Sequence, residues 1–160
     1  MKPGRNYLPL VLLVALVIVD QLSKWWVRAE LLLYESRELI PGFANLVHYT
    51  NTGAAFGLLA GAPGPGRRLF FIAVALAALL LLVLFYRQLR HQGRLYVYAL
   101  ALVAAGAIGN LIDRLWHGEV TDFLDFYLAG YHWPAFNVAD SAITVGVLLL
   151  LLALWRQPSI

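Results

Sequence analysis

The sequence predicts an all-α membrane protein built on four transmembrane helices. Three observations carry that reading. Of 160 residues 61% are hydrophobic and 13% charged, with a mean hydropathy of +0.72. A soluble domain carries about 25% charged residues. Four apolar runs, Tyr7 to about Val27, Leu69 to Tyr86, Leu95 to Ile112 and Val138 to Trp155, each come near the ~20 residues a helix needs to cross the hydrocarbon. Finally, charge is segregated. All nine acids lie between Asp20 and Glu38 or between Asp113 and Asp140. Lys2 and Arg5, then Arg87, Arg90 and Arg94, then Arg156 stand in stretches without acids. The positive-inside rule puts those three stretches in the cytoplasm, which requires an even number of spans. Arg67 and Arg68 fall on the outer side, two against six.

The first run has the basic start of a signal peptide. No small-residue cleavage site follows it, however, and apolar character resumes at Trp25-Trp26-Val27, so it is read as a span. Within it, Asp20 precedes Lys24 by four residues, the favourable order for a helical ion pair. That pair is read as structural. A Ser-Lys hydrolase using Ser23 and Lys24 is set aside, because neighbours on a helix point about 100° apart.

The first outer connection runs from Ala29 to Gly66. Ala44 to Thr50 alternates loosely and favours a strand, Asn51-Thr52-Gly53 is a turn, and Gly57 to Gly66 is a flexible loop. The second run follows. In the third, Ala101, Ala105 and Gly109 set small residues four apart for close helix packing. Asn110, Asp113 and Arg114 share a face at i, i+3 and i+4. They are read as a buried polar cluster in which Arg114 also orients a carboxylate or a substrate carbonyl. The second outer connection, Trp116 to Phe136, is amphipathic and aromatic and lies along the interface. Five Trp near the ends of the spans form an aromatic belt. The whole chain is one membrane domain without an internal repeat.

Two short stretches carry chemistry. Glu119-Val120-Thr121-Asp122-Phe123 and Phe136-Asn137-Val138-Ala139-Asp140-Ser141 each set an aspartate among apolar residues beside a membrane, where a carboxylate is expensive. Two carboxylates flanking one re-entry can meet at one site and activate a water, which points to a membrane aspartyl hydrolase. Asn137 and Asp140 also suit a helix N-terminus, with Asn137 as cap. Asp125, three residues beyond Asp122, is an alternative that spacing does not separate. There is no Cys, which excludes disulfides, thiol catalysis and lipidation of the chain itself. The four His form no metal-ligand spacing. No metal, cofactor or nucleic-acid partner is expected. A transporter or proton-conducting bundle would spread its charges through the membrane depth, whereas here the acids collect on one side. A purely structural subunit gives no reason for the Asp122 and Asp140 stretches.

These motifs, in order along nearly the whole chain, resemble those of the bacterial lipoprotein signal peptidase family (signal peptidase II). Asp20-Gln21-Leu22-Ser23-Lys24 is similar to its first-helix motif. Asn51-Thr52-Gly53-Ala54-Ala55-Phe56-Gly57 is similar to its second motif and Gly109-Asn110-Leu111-Ile112-Asp113-Arg114 to its third. Val120-Thr121-Asp122-Phe123 and Phe136 to Ile143 resemble the segments bearing its catalytic aspartates. Thr121 stands where the family is often aliphatic. The resemblance implies a four-helix bundle with a small extracytoplasmic β-element and an interfacial helix. It implies an aspartyl endopeptidase of the bacterial plasma membrane, both termini cytoplasmic, with its site near the outer leaflet. That enzyme cuts diacylglyceryl-modified prolipoproteins before the lipidated cysteine, in contact with membrane lipid and as a monomer. Asp122 and Asp140 are the implied catalytic pair, in preference to Asp125. Asn51, Gly53, Arg114, Asn137 and Ala139 line or support the site, and Asp20, Lys24, Asn110 and Asp113 are structural.

Overall fold

The fold comes from a computed structural model that describes residues 7–53 and 64–156. Four helices, α1 (Leu8–Glu30), α2 (Pro65–Leu89), α3 (Arg94–Trp116) and α4 (Val138–Trp155), are each long and apolar enough to cross a membrane. The sequence expectation placed them correctly and drew three of them short. Helix α3 continues past Ile112 because Asn110, Asp113 and Arg114, though polar, recur at helical spacing and find partners on one face. Helix α2 starts at Pro65, whose fixed φ suits a first helical position, and so takes in Arg67 and Arg68.

Helix α3 is the hub and packs on α4, α1 and α2. Its contact with α4 is set by glycines. A Cβ on Gly106 would stand 2.2 Å from the Ala139 carbonyl oxygen, and one on Gly146 would stand 2.8 Å from the Ala99 carbonyl oxygen. Ala101, Ala105 and Gly109 are buried as expected, with Gly109 against Asp20 and Ala139. The closest approach nevertheless falls on Gly106, outside that spaced run. Only Phe71 of α2 is buried within the protein, so most of that helix faces lipid.

One end of the helix bundle carries more β-structure than the single strand foreseen. Strands β1 (Ser36–Ile40), β2 (Ala44–Asn51), β3 (Val120–Leu128) and β4 (Tyr131–His132) form one antiparallel arrangement in that order. Gly42, with φ +74°, makes the first hairpin turn. Ala129 and Gly130, both at positive φ, make the two-residue turn between β3 and β4. The connection 116–136 is therefore strand, and no interfacial helix occurs among the described residues. Residues 57–63 of the expected flexible loop lie outside the described residues. The sheet is fixed to the bundle by Val27 and Leu31 at the end of α1, packed on Leu46 and Phe123. Burying side chains of this size stabilises by about 1.5–3 kcal/mol each.

Candidate active site

Beneath the sheet, the C-terminal ends of α1 and α3 and the N-terminal end of α4 enclose two adjoining polar clusters. The first starts from the helical pair of the sequence reading. Lys24 Nζ lies 2.8 Å from Asp20 Oδ2 and 3.1 Å from Asp113 Oδ2, and donates to Asn110 Oδ1 at 2.9 Å. The other Asp20 oxygen accepts the Ala139 N–H at 2.8 Å, joining α1 to the first turn of α4. Gln21 donates to Asp20 Oδ2 and to the Gly109 carbonyl. Arg28 donates to Thr121 Oγ1 at 2.7 Å and lies 3.6 Å from Asp113 Oδ1. Two cations thus meet two carboxylates, and every oxygen has a partner. A buried ion pair is tolerable only under that condition. The Ser23 hydroxyl donates back to the Asp20 carbonyl, which leaves no Ser-Lys couple.

The second cluster is made of carboxylates and neutral amides. Asn137 caps α4: its Oδ1 accepts the Asp140 N–H at 2.8 Å. A backbone N–H only donates, so this bond fixes the amide's orientation. Asn137 Nδ2 must then point away, and it donates to Asp122 Oδ1 at 2.7 Å. The same logic orients Asn51. Its Oδ1 accepts the Gly53 N–H at 2.8 Å, closing the expected turn, and its Nδ2 donates to Asp122 Oδ2 at 3.1 Å. Asn110 takes the Lys24 ammonium on its oxygen, so its Nδ2 donates to Asp140 Oδ1 at 2.8 Å. Asp140 therefore occupies the third position of α4 without capping it. The acceptor at the cap is Asn137, and the Asp140 side chain turns toward Asn110.

Asp122 and Asp140 are both buried and interact electrostatically. The Asp122 carboxyl is pushed up to about 7 by its burial first and by the charge of Asp140 second, while the Asn51 and Asn137 N–H groups and Lys24 pull the other way. Asp125 is held elsewhere. Three residues along a strand turn a side chain to the opposite face, where Asp125 accepts from Asn45 Nδ2 at 2.9 Å and pairs with His132 Nδ1 at 2.9 Å.

Arg114, at the end of α3, donates to the Gly53 carbonyl at 2.6 Å and the Asn110 carbonyl at 3.2 Å. Its guanidinium lies 5.4 Å from the centre of the Phe71 ring, a cation–π distance. Ala139 is buried where α4 crosses Gly109. All the site residues expected from sequence thus fall in these two clusters. Sequence reasoning missed Gln21, Arg28 and the threefold hold on Thr121. The Thr121 N–H donates to Asp113 Oδ2, its hydroxyl accepts from Arg28 and its carbonyl accepts from Asn137. A signal existed for Arg28, which follows Asp20 and Lys24 at intervals of four on one face of α1.

A protein with four apolar helices and a buried pair of carboxylates at their ends has clear relatives. The pattern of the family described as Signal peptidase (SPase) II fits residues 12–156. The lipoprotein signal peptidase of Syntrophus aciditrophicus is 50% identical over 134 residues, covering 84% of this chain and 83% of the relative. That of Syntrophotalea carbinolica is 49% identical over 157 residues, covering 98% of this chain and 96% of the relative. A bacterial membrane enzyme solved by the in meso method at 2.3 Å superimposes with a TM-score of 0.83 at 35% identity, over 95% of this chain and 93% of that one. A second such structure, at 1.9 Å, gives 0.81 at 37% identity, over 94% of each chain. The chain belongs to the signal peptidase II family and is a membrane protease of that class.

Proposed function

We propose that this protein is an aspartyl endopeptidase that removes the signal peptide from diacylglyceryl-modified prolipoproteins, cutting before the lipidated cysteine with Asp122 and Asp140 as its catalytic pair. The observation that carries the reading is the Asn137 amide. It touches the Asp140 backbone at one end and the Asp122 carboxylate at the other, and so ties both acids to one place. Two nearby carboxylates do not both ionise cheaply, so the pair keeps one proton. The ionised member takes a proton from water as the hydroxide attacks the scissile carbonyl carbon. The protonated member gives its proton to the carbonyl oxygen. When the tetrahedral intermediate collapses, the carbon–nitrogen bond breaks and the newly protonated carboxyl donates to the leaving amine. The other carboxylate recovers a proton from the intermediate's hydroxyl, which restores the starting state. Asn51, Asn110 and Asn137 hold the two acids, Arg114 and Gly53 fix the turn beside them, and Lys24 with Asp20 and Asp113 braces the helices below. No cofactor enters this scheme.

The substrate's apolar signal helix reaches such a site sideways from the lipid. Segregation of acids from bases supports cytoplasmic termini and a site near the outer leaflet of a bacterial plasma membrane. Reporter fusions at Gln92 and Gly64 should report opposite compartments, and the same compartment for both would sink the four-span model. The protein works as a monomer in membrane lipid, without nucleic acid.

The test of function is incubation of the purified protein with a lipidated prolipoprotein, read as a size shift that persists in EDTA. Asp122→Asn and Asp140→Asn should each lose on the order of 10³-fold or more in rate. The two losses should not add, because the pair acts as a unit. Asp125→Asn should keep most activity. An inserted Asp140→Asn enzyme that cleaves at near-normal rate would remove Asp140 from the mechanism.

A further inference from the structure

Thr121 is the one residue bonded to both polar clusters. On the side of the charged brace, its N–H donates to Asp113 Oδ2 at 3.1 Å and its hydroxyl accepts from Arg28 Nη1 at 2.7 Å. On the side of the acid pair, its carbonyl accepts from Asn137 Nδ2 at 3.3 Å. The same Asn137 nitrogen donates to Asp122 Oδ1 at 2.7 Å. Thr121 and Asp122 are also neighbours on β3, so their side chains point to opposite faces of the strand. The Thr121 side chain faces Arg28 and that of Asp122 faces the amides. A shift of Thr121 therefore reaches Asp122 by two routes, the strand itself and the shared Asn137 amide.

Arg28 stands in the last turn of α1, with its side chain 21% exposed, and lies 3.6 Å from Asp113 Oδ1. Its 2.7 Å bond nevertheless goes to a neutral hydroxyl on β3. Hydrogen bonds from a charged donor are roughly twice as strong as neutral ones and are directional. Packing of Val27 and Leu31 on Leu46 and Phe123 presses the sheet onto α1, but apolar contact is non-directional. The Arg28 bond supplies what that packing lacks, a fixed place for residue 121 along the helix ends.

We propose that Arg28 and Thr121 are positioning residues for cleavage, the bond between guanidinium and hydroxyl setting where β3 presents Asp122 to the catalytic pair. The inference rests on the catalytic reading of Asp122 and Asp140. Both residues act through the strand and the Asn137 amide.

Steady-state cleavage of a lipidated prolipoprotein tests this, with rates taken per folded enzyme, counted by cooperative thermal unfolding in detergent. Thr121→Val removes the hydroxyl and keeps the shape and both backbone bonds. Displacing a catalytic group by a fraction of an ångström is costly, so kcat should fall on the order of 10-fold or more. KM should stay near wild type, because Thr121 is 2% exposed and faces away from the pair. Thr121→Ser keeps the acceptor and should keep kcat near wild type. Arg28→Leu should lower kcat as Thr121→Val does. The double variant should be no worse than the poorer single one, since both remove the same bond. A wild-type kcat in folded Thr121→Val would leave the bond a matter of stability alone and overturn the proposal. Equal losses in the Val and Ser variants, or additive losses in the double variant, would also overturn it. If Arg28→Leu fails to accumulate, the comparison of Val with Ser decides. Failure of the catalytic reading looks different: Asp122→Asn would still cleave, whatever the Thr121 variants do.

Discussion

The two polar clusters under the sheet share the same helix ends and differ in how their charge is met. Around Lys24, each carboxylate faces a cation and each cation faces a carboxylate. Around Asp122, the carboxylate oxygens face the neutral amides of Asn51 and Asn137. The first arrangement is closed and has nothing left to give a substrate. The second holds its acids in place with no cation in contact among the described residues, and there burial first and the charge of Asp140 second push Asp122 up to about 7. Full compensation makes a brace, and partial compensation keeps a proton in play near neutral pH.

The sharpest way to break this contrast is to open the closed cluster. Lys24→Met strands the buried Asp20 and leaves Asp113 only the 3.6 Å approach of Arg28, and breaking a buried pair costs about 3–5 kcal/mol. Thermal unfolding in detergent should show this as a large loss. Adding Asp113→Asn should return part of it, since the two sites share an interaction. A Lys24→Met protein as stable as wild type would mean that the cluster is not a brace.

A smaller effect distinguishes the open cluster by its pH dependence. The Asp122 carboxyl is raised in the folded protein, so the fold holds a proton that the unfolded chain has already released. Stability from this source is fully present below the ordinary carboxylate range and is lost as pH rises toward about 7. The loss is on the order of a few kcal/mol for the pair as a unit. Asp122→Asn removes the titration, so its unfolding temperature should fall less than that of wild type between about pH 4 and about pH 8. Parallel curves would place the raised group elsewhere.

Much of this was legible in the chain because the membrane simplifies the reading. Lipid-facing helices such as α2 must be apolar nearly throughout, so hydropathy finds them. The Asp20–Lys24 pair and the Asn137 cap are local, and local spacing reveals them. The sheet was harder. Val120, Thr121, Asp122 and Phe123 are all buried, so β3 lacks the alternation that marks a strand with one wet face, and its stretch reads as an amphipathic connection. The Gly106 and Gly146 contacts depend on which faces of α3 and α4 meet, which no single helix records. Spacing alone did not separate Asp122 from Asp125; the family resemblance did, and the amides of β2 and of the α4 cap that hold Asp122 are partners no local spacing records.

The bond from the Ala139 N–H to Asp20 joins residues 119 positions apart. Asp20 leaves the ribosome long before Ala139, so the brace stays incomplete, and the pair unassembled, until the last helix has entered the bilayer. One backbone hydrogen bond thus makes the first helix and the last depend on each other, and the cluster closes only when the whole chain is in place.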